Sequence, residues 1–393
     1  MRISFVRHSA LAIVLALASS ACAESQTQDT SIGGRTPFPT ANAPGTWQPP
    51  TAAQDVTAFV RPLVSSWRPK GATVVTMAAD KLIATSLDGG SSTELVALAP
   101  GADWSFRRDG GAFVAAVQVA PYTTQLAIWE PATNDLRWLT AAESTQFSPV
   151  WSHDGWAIYF GVSNEVARLR ADGTGRERIL QTRSPPITNP VAESLDGTLY
   201  VRKAWEGPEV LGLVNLASGE ERDFPGWHLE ALRERQPGAL ISGGFFPSTG
   251  LAEVDERTGN LMKLLQDSTE VAGADWDPTG TRIVAAVRAR QTREPSVLVT
   301  MDERGGTRRV IDGTGGAESP VWVGEGILYL WAAIAGWDRW DDPHSASYGT
   351  GDDYELLPIV HPPFELHLVD PDTAASRVIL RSDTKFTFRV VGG

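Results

Sequence analysis

One unit recurs along most of this chain: a short apolar strand, a tight polar turn and a second apolar strand. Its clearest copy is Pro149-Val150-Trp151, the turn Ser152-His153-Asp154-Gly155, then Ala157-Ile158-Tyr159-Phe160. The first copy is Ser66-Trp67-Arg68-Pro69-Lys70-Gly71 before Thr73-Val74-Val75, and the second is Asp103-Trp104 through Asp109-Gly110 before Ala112-Phe113-Val114. A degenerate fourth copy spans Pro190 to Val201 and a faint fifth Leu232 to Ile241. The sixth is Trp276-Asp277-Pro278-Thr279-Gly280 before Arg282-Ile283-Val284, and the seventh is Pro320-Val321-Trp322 to Leu330. The spacing is roughly 37 to 47 residues, the period of a four-stranded propeller blade.

Each unit has a second half of the same kind. In the third it is Glu165-Val166-Ala167-Arg168-Leu169, the turn Ala171-Asp172-Gly173, then Arg178-Ile179-Leu180. One such sheet cannot bury both faces alone. Blades in a ring pack face to face, and closure protects their edges. The expected fold is therefore all-β: a seven-bladed β-propeller of four-stranded antiparallel blades over residues 55–393. Six or eight blades stay compatible, because the fifth copy is faint and Lys385 to Val391 has no slot among seven fours. That strand, or the one near Val56 to Val60, is expected to close the ring. The repeated Trp reads as packing between blades, the Gly as a turn residue with positive φ, and the Asp or Pro before it as turn initiation.

Trp151-Ser152-His153-Asp154-Gly155 with Ala157-Ile158-Tyr159-Phe160, Ala171-Asp172-Gly173 and Arg178-Ile179-Leu180 resembles the TolB-type β-propeller repeat of bacterial envelope proteins. Trp276 to Gly280 and Trp67 to Gly71 are similar to the same motif. The resemblance covers about residues 57 to 382. It implies the fold and a place in the cell envelope, and it leaves function open, since the repeat serves both in binding proteins and as a non-catalytic module of peptidases.

The first residues read as an export signal. Arg2 and Arg7 precede the apolar run Ala10 to Ala18, which is too short to span a bilayer. Residues 1–23 are expected to be a signal peptide and 24–54 a Pro/Gly/Thr-rich tether. Ala21-Cys22-Ala23 fits ordinary cleavage after Ala23. Ser19-Ser20-Ala21-Cys22 resembles a lipobox, with Cys22, the single cysteine of the chain, as the lipidated residue. The lipoprotein reading is preferred, which gives an exported, periplasmic or cell-surface protein held at the membrane only through a lipid anchor. A net charge of −13 argues against a nucleic-acid partner.

The departure from the repeat is in the seventh unit, where the connection between second and third strands runs from Ala332 to about Pro363. Long connections in compact folds are functional or disordered. This one holds Trp337, Asp338, Trp340, Asp341, Asp342, His344, Tyr348, Asp352, Asp353, Tyr354 and Glu355. It reads as a solvated acidic loop, as a lid for a sugar or a cationic or peptidic ligand, or, on the weakest signal, as a Ca²⁺ site of carboxylates. The neighbouring unit offers Arg288, Arg290 and Arg293. His344 and His361 read as surface residues. No cofactor or metal is expected, and there is no Gly-x-Ser-x-Gly elbow, His-Glu-x-x-His or phosphate loop. The preferred reading is a monomeric, non-enzymatic binding or scaffolding protein of the envelope, taking an envelope protein or a small carbohydrate or peptide ligand. The alternatives are a lyase or hydrolase acting on a sugar or peptide with carboxylates of the 332–363 loop, or a solute or signal sensor.

Overall fold

The computed structural model describes residues 55–392 apart from 79, 89–90, 100, 143–145, 163–164, 182–186, 205–208, 235, 246–247, 266–267, 291, 325 and 341–354. Seven antiparallel sheets follow one another in the chain, each a blade of the expected propeller. In blade 3 the strands run outward in order: Gln146–Trp151, Ala157–Val162, Glu165–Arg170 and Glu177–Gln181. Burial follows that order. The second strand is buried along nearly its whole length, whereas the outermost is exposed or half-buried.

Strand periodicity explains how one sheet serves two seams. Phe113, Ala115 and Val117 of blade 2 face blade 1, while Ala112, Val114 and Ala116 face blade 3. Seven apolar clusters result, one at each seam of the ring. Burying these two faces is the main favourable term for the fold. The Trp that ends an inner strand lies in a seam, as Trp151, Trp276 and Trp322 do, each at most 7 % exposed. The blade before supplies an arginine to each indole: Arg107 over Trp151, Arg233 over Trp276 at 3.9 Å and Arg282 over Trp322 at 4.7 Å.

The polar turn behaves as its sequence predicts. Asp154 accepts from Ser152 Oγ at 2.6 Å and from Trp156 N–H at 3.0 Å, and Gly155 takes φ 74°. Asp154 is therefore a turn residue, bonded within its own loop through Oδ1.

Ring closure uses both ends of the propeller. Phe388–Val391 pairs with Thr73–Ala78 and becomes the innermost strand of blade 1. Val60–Pro62 pairs with Ser92–Leu98 and adds a fifth, outer strand to the same blade. The first repeat copy thus keeps its turn but not its strand. Residues 63–72 lie outside any strand, and Trp67 instead packs edge-on against Phe106 of blade 2.

The long connection of blade 7 is a correction to the sequence reading. It is not a loop from Ala332 onward. Gly326–Trp340 and Glu355–Val369 form one hairpin of 15-residue strands, paired from Ile327↔Val369 out to Trp340↔Glu355. The prolines that suggested a loop are accommodated. Pro362 and Pro363 fall in a register shift, and beyond Phe364↔Ser382 the third strand has no outer neighbour, so Pro358 lies on an edge strand, where proline is tolerated. This finger projects on the face that carries the connections between second and third strands. The Asp-Gly turns lie on the opposite face.

Candidate functional site

The inner strands wall a central channel, and five of them carry a bulge at the same level. The register shifts fall at Ser148-Pro149, Val191, Glu230, Ala272-Gly273 and Ser319-Pro320. Ser148 and Ser319 take φ 49° there, which is unusual for a residue with a side chain. Gly273 is required at its position. At φ +125° a Cβ would lie 2.8 Å from Ser319 Cα, so only glycine lets the inner strands of blades 6 and 7 approach this closely.

On the finger side of these bulges is a cavity of about 370 Å³, with Asp103, Ser148, Asn189, Arg202, His228 and Arg389 among its polar lining. A second cavity of about 550 Å³ shares Asp103, Trp104 and Arg389 with it. Arg389 comes from the ring-closing strand. Its side chain is exposed to the channel solvent, and the protein atoms around it lower its pKa from the ordinary arginine value. Among the described residues no carboxylate lies within ion-pair distance of it. Asp103 uses Oδ2 to accept from Ser148 N–H at 3.0 Å. Arg202 and His228 are tied to one carboxylate, at 2.7 Å and 3.2 Å from Glu209. Glu209 is held below the usual carboxylate range, chiefly by the His228 hydrogen bond and also by the Arg202 charge. Asn189 is 8 % exposed, and its Oδ1 has no hydrogen-bond partner among the described residues.

At the root of the finger, Arg288 lies 5.0 Å from the Trp337 ring centre and pairs with Glu270. A small cavity of about 150 Å³ opens beside them, with Ile334, Pro358 and Val360 as its apolar wall. Arg288 and Trp337 are thus brought together, although the carboxylate that meets Arg288 is Glu270 of its own blade. Arg293 is exposed, and Arg290 donates its backbone N–H to Ser268 at 2.8 Å. Asp338, Trp340 and Glu355 sit in the outer part of the hairpin. Asp341, Asp342, His344, Tyr348, Asp352, Asp353 and Tyr354 lie outside the described residues, as does Cys22. His361 is exposed on the finger. Among the described residues no group of three or more His, Cys, Asp or Glu side chains is placed to hold a metal ion.

A carboxyl pair lies on the opposite face, at the seam of blades 4 and 5. Glu256 accepts from Tyr200 OH at 2.6 Å, and Ser194 Oγ is 3.0 Å from Glu256 and 2.7 Å from Asp196. Burial, then the hydrogen bond with Asp196, raises Glu256 to about 7. Burial also pushes Asp196 up, but hydrogen bonds from Glu256, Ser194 and Thr198 outweigh it and leave Asp196 below its ordinary value. The pair is therefore an acid donating to a carboxylate.

Sequence reasoning marked the finger and missed Arg389 and the carboxyl pair. For Arg389 one signal was present: a charge in the middle of a strand expected to close the ring.

No family model matches the chain, and no curated protein matches it. Solved structures of similar fold do. An oligogalacturonate lyase in complex with manganese is 12% identical, with 81% of this chain and 87% of that chain covered at a TM-score of 0.52. Prolyl oligopeptidase B from Galerina marginata is 10% identical, covering 84% of this chain and 51% of that one at 0.53. TolB from Acinetobacter baumannii is 12% identical over 82% of each chain at 0.43. At these identities the likeness concerns the fold, the seven-bladed propeller that the TolB-type repeat implied. Among the described residues no helix is long and apolar enough to cross a membrane.

Proposed function

We propose that this protein is an exported, lipid-anchored propeller of the cell envelope that binds a partner on its finger face rather than transforming a substrate. The observation that carries this reading is the asymmetry between the two faces. One blade alone extends its second and third strands to 15 residues, and it does so beside the mouth of the channel. Elsewhere these strands are 6 to 8 residues long, enough to build a blade. A paired finger over an open channel adds contact surface, and among the described residues its carboxylates and histidines form no cluster placed to hold a metal ion. The finger-root carboxylate and guanidinium, Glu270 and Arg288, already neutralise each other. A lipid on Cys22 would suit a propeller held near the membrane.

Site-specific photo-crosslinking in the envelope tests this. Probes at Ile359 on the finger and at Tyr122 in a turn of the same face, 45% and 90% exposed, are expected to capture one discrete partner. A probe at Trp156 on the opposite face, 77% exposed, is expected to give none. The reverse pattern overturns the proposal. Cys22→Ala is expected to move the protein from the membrane fraction to the soluble one.

A further inference from the structure

The chain carries a net charge of −13, yet the channel cavity is lined by Arg389, Arg202 and His228 against Asp103 alone. Arg202 and His228 are accounted for by Glu209, and Asp103 is engaged with the Ser148 backbone. The guanidinium of Arg389 lines both channel cavities and has no ion-pair partner among the described residues. It stays charged, and its five donors face channel solvent, open to a ligand's acceptors. Asn189 sits on the same wall with an oxygen that has no partner among the described residues, so its amide can turn to offer either end to the cavity.

Resting on the proposed binding role, we infer that the channel holds an anion subsite in which Arg389 receives a carboxylate of the bound ligand. The planar fork of the guanidinium matches both carboxylate oxygens. Asp103 on the same wall adds a negative charge that disfavours the nearly two negative charges of a phosphate monoester more than a single carboxylate. The remaining wall is apolar, with Trp104, Trp227, Leu211 and Leu229, and it suits the carbon chain that bears the carboxylate. The carboxylate can belong to a peptide segment or to a free organic acid.

The test is calorimetric titration of the full chain with tetraglutamate, with succinate and with N-acetylated, C-amidated tetraglutamine as the carboxylate-free control. Tetraglutamate or succinate is expected to bind and tetraglutamine not to, with affinity falling as salt is raised. Arg389→Gln is expected to weaken binding by roughly tenfold or more, and Arg389→Lys, which keeps the charge but loses the fork, by less. Thermal melts of both variants check the fold. Should Arg389→Gln not fold, the Arg389→Lys loss and the salt dependence of the native protein decide. Tetraglutamate binding with succinate silent assigns the subsite to a peptide carboxylate, and succinate binding alone to a free acid. Equal binding of tetraglutamine, or binding unchanged in Arg389→Gln and Arg389→Lys, overturns the inference. Absence of any carboxylate binding overturns it too. Finger-face crosslinks that persist in any of these cases leave the binding role standing and sink only the subsite.

Discussion

At the scale of single residues, Glu256 and Asp275 give the protein a pH dependence, both raised to about 7 with burial as the main cause. Two backbone N–H groups, of Trp276 and Trp322, oppose the shift at Asp275 and reduce it. Both groups hold a proton in the folded state that the unfolded chain releases at lower pH. The folded protein therefore binds more protons between about pH 4 and 7, and its stability falls as pH rises through that window. Glu256→Gln stays neutral at every pH, can accept from Tyr200 and can donate to Asp196. It is expected to be near neutral at pH 4 and to stabilise at pH 8 by on the order of 2–3 kcal/mol. Urea unfolding of both proteins at the two pH values checks this, and parallel pH profiles would sink it. The pair was not legible in the sequence. Asp196 lies in a repeat turn like any other, and Glu256 is 60 residues away in the next blade; only the seam brings them together.

At the scale of elements, ring closure depends on the four residues Phe388–Val391. Val391 is 3 % exposed in the cluster between blades 1 and 2. Val391→Ala is expected to cost about 1–3 kcal/mol, whereas Val378→Ala, on an outer strand and 43 % exposed, is expected to cost under about 0.5 kcal/mol. Equal effects in equilibrium unfolding would show that the closing strand adds little. The existence of this strand was legible from its alternating apolar residues, but its position was not. Pairing between residues some 300 apart leaves no local mark, so the first repeat copy seemed to supply its own inner strand. The finger was misread for a different reason. Gly and Pro usually end strands, and nothing local shows that Pro358 lies on an edge or that Pro362 and Pro363 fall in a bulge. Arg389 was passed over because the inner position of its strand, and so the channel it faces, was not legible.

At the scale of the whole molecule, the turn face shows two ways of crossing the ring with charge. Arg233 of blade 5 reaches Glu253 of its own blade at 3.4 Å and Glu303 of blade 6 at 3.2 Å, under the indole of Trp276, with only 9 % of its side chain exposed. Arg108 of blade 2 pairs with Glu234 of blade 5. Those blades are not neighbours, so this pair reaches across the channel axis at the end opposite the finger. Its side chains are 54 % and 51 % exposed, and solvent and salt screen it. The ring is already closed by backbone pairing, so this bridge has little loop entropy left to save. Arg108→Ala is therefore expected to change stability by less than about 1 kcal/mol, an effect that fades in high salt. Arg233→Ala leaves Glu253 half-buried without its cation and bares the Trp276 face, and is expected to cost roughly 3 kcal/mol or more at any salt concentration. Urea unfolding at low and high salt separates the two. A large, salt-independent loss at Arg108 would mean that the far end of the channel is sealed by a structural tie rather than by a screened surface pair.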